Sequence, residues 1–204
     1  MQYYKTDPST LLRMVTRSSF ATARRTELFD GLVELFLAEG FAHLTLDAIA
    51  ARLQCSKSTL YTLAGSKEQL VTSATKHFFK RATEQVEAKV AAASSAERIA
   101  AYLTAVGEAL TTASAQFMSD LDAFAPAREV YEQNTRIAAR RVQELITDGV
   151  AQGDFRGVHA TFAGDLVATM MVRIQQGRVR EATGFDDASA YRELASILTA
   201  GINA

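Results

Sequence analysis

The stretch TLDAIAARLQCSKSTLYTLAGSKEQL, running from Thr45 to Leu70, decides the local architecture. Thr45 stands just before a run of helical apolar spacing, where its hydroxyl can accept a backbone N–H that the first turn leaves open. Asp47 follows near the positive end of that helix. Together they predict a short helix over Leu46–Leu53 with Ala48, Ile49 and Leu53 facing inward. Gln54-Cys55 makes a turn, and Ser56 caps a second short helix, Lys57–Leu63, whose Leu60 faces the first. Ser66 then caps a long helix, and Ser66-x-x-Gln69 has the pattern of a capping box. Two short helices joined by such a turn form a helix-turn-helix. The second helix opens on Lys57-Ser58-Thr59, a cationic and hydroxylic tip of the kind that reads base edges or phosphates.

Working outward, Leu28, Leu32, Leu35 and Phe36 recur at helical spacing and predict a helix over Thr22–Glu39. Gly40 suits its left-handed cap, and Phe41 is placed to fold back on the last turn. Residues 1–21 are expected to be a loosely ordered arm, with a turn of helix after Asp7-Pro8. This arm and the start of the helix hold Lys5, Arg13, Arg17, Arg24 and Arg25 against Asp7. On the other side, the helix after Ser66 extends to about Ala91, roughly 35 Å at the usual helical rise. Ser94-x-x-Glu97 opens a helix to about Ser114, and Gln116–Phe124 forms a shorter one. Pro126 starts a helix that ends at Gly153 and buries Ala138, Val142, Leu145 and Gly149. Two final helices cover His159–Gln176 and Asp186–Asn203, joined by Gly177–Phe185. The fold class is all-α, with about nine helices.

The 204 residues carry a net charge of −1, so contact with nucleic acid has to come from a local patch. Apolar residues make up 48%, enough for a core. Cys55 is the single cysteine, which rules out an intrachain disulfide and fits a small hydrophobe in the turn. Met1–Asp7 lacks an apolar run, and no stretch approaches the ~18 apolar residues of a membrane span, so a cytoplasmic protein is expected. His43, His77 and His159 are widely spaced, and no Walker loop, GxGxxG or GxSxG is present. No metal, cofactor or catalytic residue is expected, and the chain is not read as an enzyme.

The residues from Gly40 onward resemble the tetracycline-repressor-like (TetR) family of regulators. The resemblance rests on Gly40-Phe41, Thr45, Ile49-Ala50, Ser56-Lys57-Ser58-Thr59-Leu60-Tyr61 and Ser66-Lys67-Glu68-Gln69-Leu70. It implies an arm over 1–21, a helix-turn-helix DNA-binding domain over 22–66, and a ligand-binding and dimerisation domain over 67–204. It further implies that Thr45 touches phosphate, that Lys57, Ser58 and Thr59 read base edges, and that Tyr61 and Lys67 anchor phosphates, with Arg24 and Arg25 adding contacts. Three positions depart from the pattern. Gln54 stands where the family often has Gly, and Leu63 and Ala64 stand where aromatic or His residues are usual.

Tyr102, Phe117, Met118, Phe124 and Tyr131 are candidates to line a ligand cavity, against ordinary core as the commoner place for any one of them, and Arg128 is a candidate anchor for an anionic ligand, against a plain surface charge. Phe162, Leu166, Met170 and Ile174, four apart, form a stripe consistent with a dimer interface or with an intrachain core, and the dimer is favoured. A two-fold dimer would set two reading helices about 34 Å apart on DNA. The resulting expectation is a homodimeric repressor that binds a palindromic double-stranded operator and releases it on binding a small-molecule effector. The alternative is a small-molecule binding module whose DNA head is weak or degenerate.

Overall fold

The computed structural model describes residues 8–203, and side chains from residue 23 onward. Ten α-helices occur among them: α1 (Pro8–Glu39), α2 (Leu46–Arg52), α3 (Lys57–Leu63), α4 (Lys67–Ala92), α5 (Arg98–Leu110), α6 (Ala115–Ala123), α7 (Ala125–Gln152), α8 (Ala160–Gln175), α9 (Arg178–Thr183) and α10 (Asp187–Ile202). The first helix starts at Pro8 rather than at Thr22, because no glycine or proline interrupts the chain between the two. Lys5 and Asp7 of the basic arm lie outside the described residues, as do the side chains of Arg13 and Arg17. A tenth helix, α9, occupies the expected connection between Gly177 and Phe185, set off by left-handed Gly177 and Gly184 at φ of 72° and 76°.

Two buried clusters hold the fold together. The first joins α4, α5, α7, α8 and α10 around Leu103, Val142, Ile146, Val167 and Tyr191. The second joins α1, α2, α3 and the front of α4 to α6 and the start of α7, around Leu32, Phe36, Ile49, Leu60, Leu70 and Leu121. Its apolar side chains therefore run across the 66/67 position. Rings carry much of this seam: Phe41 packs edge-on to Phe117 and Phe124 with centroids 6.1 and 6.0 Å apart, and Phe117 meets Phe78 at 6.1 Å.

The end of α1 is fastened to α6 by an exchange of backbone partners. Gly40, at φ 78°, turns the chain out of the helix. The two N–H groups that follow, of Phe41 and Ala42, donate to Oδ2 of Asp120 at 2.6 and 2.7 Å. Gln116 holds the other carboxylate oxygen at 2.7 Å. In return the Ser114 N–H donates to the Leu37 carbonyl at 2.8 Å. A Cβ at position 40 would meet Asp120 Oδ2 at 2.5 Å, so glycine is required here for room as well as for φ. Asp120 is buried, which raises its pKa, but the N–H groups of Ala42 and Phe41 and the Gln116 amide outweigh this and hold it below the usual carboxylate value.

Two capping expectations are modified. Gln69 turns its Oε1 to the N–H of Gly65, at 2.9 Å, rather than to Ser66, while Ser66 Oγ accepts from Gln69 N as expected. The Ser94 hydroxyl donates to Glu97 at 2.5 Å and the chain makes one 3-10 turn, Ser95–Glu97, before α5 begins at Arg98.

Candidate nucleic-acid interface

Thr45 Oγ1 accepts from Ala48 N at 3.1 Å and Ser56 Oγ accepts from Thr59 N at 3.1 Å, so both short helices start where their caps place them. Ile49, Leu60 and Leu63 are buried between α2, α3 and the neighbouring helices. The turn between α2 and α3 passes through Gln54 at φ 48°, the one left-handed residue other than glycine among those described. Cys55 N closes the turn on the Ala50 carbonyl at 3.0 Å, and burial pushes the Cys55 thiol upward in pKa.

This packing turns the N-terminal tip and one side of α3 to solvent. Lys57, Ser58 and Tyr61 are exposed, Tyr61 by 51%, and Thr59 is half-buried. Ser56 Oγ lies 2.7 Å from Ser58 Oγ and 2.8 Å from Thr59 Oγ1, so the tip carries a chain of three hydroxyls. Lys57 Nζ bonds Asp47 of α2 at 2.8 Å, and that bond raises the lysine pKa. Both groups are solvent-exposed, so a phosphate can compete for the ammonium at little cost. Lys67 Nζ donates to the Ala42 carbonyl at 2.9 Å, beside exposed Thr45. Arg24 pairs with Glu27 of its own helix at 3.2 Å.

Arg25 also makes contacts within the head. Its guanidinium donates to the carbonyls of Thr62 at 2.9 Å and Leu63 at 3.5 Å, and lies 5.6 Å from the centre of the Phe29 ring. It therefore satisfies carbonyls left open at the end of α3 and locks that helix to α1. Leu63 itself is buried, so it fills the head core instead of facing a phosphate.

Residues 28–74 match the family model of bacterial regulatory proteins, tetR family. The head is a TetR-family DNA-binding domain. Solved structures extend the likeness along the chain, as a likeness of fold. A protein from Saccharomonospora viridis, solved in complex with choline, superposes with a TM-score of 0.68 at 18% identity, covering 90% of this chain and 99% of its own. The TetR family transcriptional regulator PfmR from Thermus thermophilus gives 0.62 at 17% identity, covering 85% and 97%. The fatty acid degradation regulator FadR from Bacillus halodurans gives 0.66 at 15% identity, covering 86% and 94%. No curated protein matches the chain in sequence.

Behind the TetR head, the six residues expected to line a ligand cavity separate. Tyr102 lines a part-open chamber between α4, α5, α7 and α8. Phe117 and Phe124 belong to the core shared with the head, because that side of α6 is occupied by α1 and α4. Met118 and Tyr131 border a different cleft, between α6 and the α8–α9 corner. Arg128 is exposed and donates to the Asp122 carbonyl at 2.8 Å. The chamber's other polar residues, Glu87, Arg141 and Gln175 among them, were not foreseen. The expected dimer stripe also divides: Phe162 and Leu166 are exposed by 68% and 49%, Met170 is half-buried and Ile174 is buried. Each step of four residues turns a row by about 40° round a helix, so the row rolls from solvent into the core. Ile197 of α10 is likewise exposed, by 63%. No described helix is long and apolar enough to cross a membrane.

Proposed function

We propose that this chain is a cytoplasmic, ligand-responsive repressor that binds a palindromic double-stranded DNA operator as a homodimer. The observation that carries the reading is the tip of α3. Lys57, Ser58 and Tyr61 stand exposed on a helix whose other side is buried, with Thr59 beside them. In this reading the hydroxyls and Lys57 read base edges, while Tyr61, Thr45 and Lys67 hold phosphates. Arg24 adds a phosphate contact at the edge of the head, and Arg25 contributes by fixing α3. Phe162, Leu166 and Ile197 form the subunit contact, which brings two heads to one face of the duplex. An effector in the chamber against α4 then shifts the separation of the heads, provided it binds one arrangement more tightly than the other.

Gel shift with DNA from upstream of the chain's own gene tests the proposal. A complex that is sequence-specific and weakens steeply with salt is expected. Absence of such a complex would refute it. The buried Leu63 favours as second reading a ligand-binding module with a weak DNA head. Saturable small-molecule binding with no specific DNA complex would establish that reading instead.

A further inference from the structure

Lys57 is the first residue of α3 and Asp47 the second of α2. The lysine Nζ lies 2.7 Å from Oδ1 and 2.8 Å from Oδ2 of Asp47, so the ammonium sits across both carboxylate oxygens. The pair stands in the open, with the two side chains 48% and 75% exposed. The dipole of α3 disfavours a cation at its N-terminus, and the carboxylate offsets this. Neither group is exhausted by the contact. An ammonium has three N–H donors; one keeps the pair together, and the others can turn to a base. Each carboxylate oxygen likewise keeps a lone pair. The tip therefore presents an N–H donor and an oxygen acceptor side by side, one hydrogen bond apart.

The rest of the head gives DNA little free charge. Between residues 23 and 70 five basic residues face six acidic ones. Arg24, Arg52 and Lys57 pair with Glu27, Glu39 and Asp47, while Arg25 and Lys67 donate to backbone carbonyls. Among these described side chains no cation stands without an acceptor, so general attraction to phosphates is weak and discrimination has to come from base edges. A carboxylate at the tip repels phosphates, whereas a base amino group donates to it.

In the major groove guanine presents O6 and N7 as acceptors, and cytosine presents an N4–H donor. O6 and N4–H are hydrogen-bonded to each other within the base pair, so they too lie one hydrogen bond apart. An A·T pair also sets a donor, N6–H, beside an acceptor, O4. Guanine adds N7 as a second acceptor for the ammonium, whereas thymine puts a methyl group against O4, where an ammonium loses hydration without gaining a partner. We infer that Asp47 and Lys57 act as one reading unit for a G·C pair in each operator half-site, Lys57 donating to the guanine edge at O6 and N7 and Asp47 accepting from cytosine N4–H. The inference rests on the reading above that the α3 tip meets base edges. It makes Asp47 a specificity-determining residue and leaves the neighbouring base pairs to Ser58 and Thr59.

Selection of bound DNA from a pool of randomised duplexes tests this, with full-length native, Asp47→Ala and Lys57→Ala proteins run side by side. The native protein should enrich G·C at one position of each half-site about tenfold or more over the other base pairs, the discrimination that one good side-chain contact to a base pair supplies. Asp47→Ala and Lys57→Ala should both relax that same position to within about twofold while keeping the rest of the selected sequence, and the double variant should go no further, since the two act as one unit. Both variants should melt with the native protein, because an exposed pair adds little stability; should one fail to fold, the other gives the readout alone. In the selected duplex, N4-methylcytosine at that position replaces the groove-facing N–H. It should weaken the native complex about tenfold and the Asp47→Ala complex hardly at all. Relaxation at different positions by the two variants, relaxation at an A·T pair, an unchanged preference, or equal weakening of both proteins by N4-methylcytosine would overturn the inference and leave the operator reading standing. Enrichment of no sequence by the native protein would refute the operator reading itself, and the inference with it.

Discussion

Replacing Asp120 with alanine should unfold the fastening between the head and α6, and the size of the loss can be worked from the contacts. The carboxylate accepts from Phe41 N, Ala42 N and the Gln116 amide. Ala42 and Gln116 are exposed, so water replaces the carboxylate for both at about 0.5–1 kcal/mol each. Phe41 is 2% exposed, so its N–H is left without a partner, at about 1–3 kcal/mol. Relief of the buried charge returns part of this. The net loss for Asp120→Ala is therefore about 2–3 kcal/mol, and about 1 kcal/mol for Asp120→Asn, which keeps one acceptor oxygen. Urea unfolding at neutral pH, followed by circular dichroism with unchanged slope, measures both. The pH dependence has a definite sign. The folded pKa lies below the unfolded one, so the stabilisation is complete above the unfolded carboxylate value of about 3.9 and is lost as pH falls through the folded value. The gap between native protein and Asp120→Ala should accordingly narrow in acid. A loss under 1 kcal/mol for the alanine variant, or equal losses for alanine and asparagine, would refute the reasoning.

Gln54→Gly should stabilise the protein by about 0.5 kcal/mol, since relief at the left-handed φ exceeds the added chain entropy; a thermal melt shows the sign. Arg25→Ala should cost about 1 kcal/mol of stability by opening the end of α3, yet leave the salt dependence of DNA binding unchanged; a slope reduced by about 1 would instead make it a phosphate contact. Lys57→Ala and Tyr61→Phe should each weaken the specific complex about tenfold in a gel shift without lowering the melting temperature, since both side chains are exposed. Phe162→Glu combined with Ile197→Glu should convert a dimer to a monomer in light scattering and abolish cooperative operator binding; an unchanged mass would move the subunit contact elsewhere.

The parts of the fold that were legible are those whose partners lie close in sequence. Thr45, Ser56 and Ser66 bond a backbone N–H three residues on, and Gly40 ends α1 through its own φ. Local chemistry of this kind writes the helix boundaries directly into the residue order. Asp120 was not legible, because its backbone partners are 79 and 78 residues away and its neighbours read as an ordinary amphipathic turn. Gln175 was hidden for the same reason. It follows Ile174, and only the packing of α10 brings Tyr191 against it. The bonds of Arg25 to the far end of α3 were hidden in the same way, since their partners lie 37 and 38 residues on. The row Phe162–Leu166–Met170–Ile174 was read as one stripe, but strict fours outrun the helical repeat and only its first half faces out.

The apolar seam that α1 and Phe41 make with α6 and Phe124 bears on how such regulators can be recombined. A graft cut at residue 66 would carry Phe41 away from Phe117 and Phe124, and would strand Asp120 without the backbone it holds. Exchange of reading heads between relatives should therefore succeed when α6 travels with the head or when its inner face is rewritten to suit the newcomer. What looks in the sequence like a detachable cassette is, in its packing, a joint whose two halves have to be inherited together.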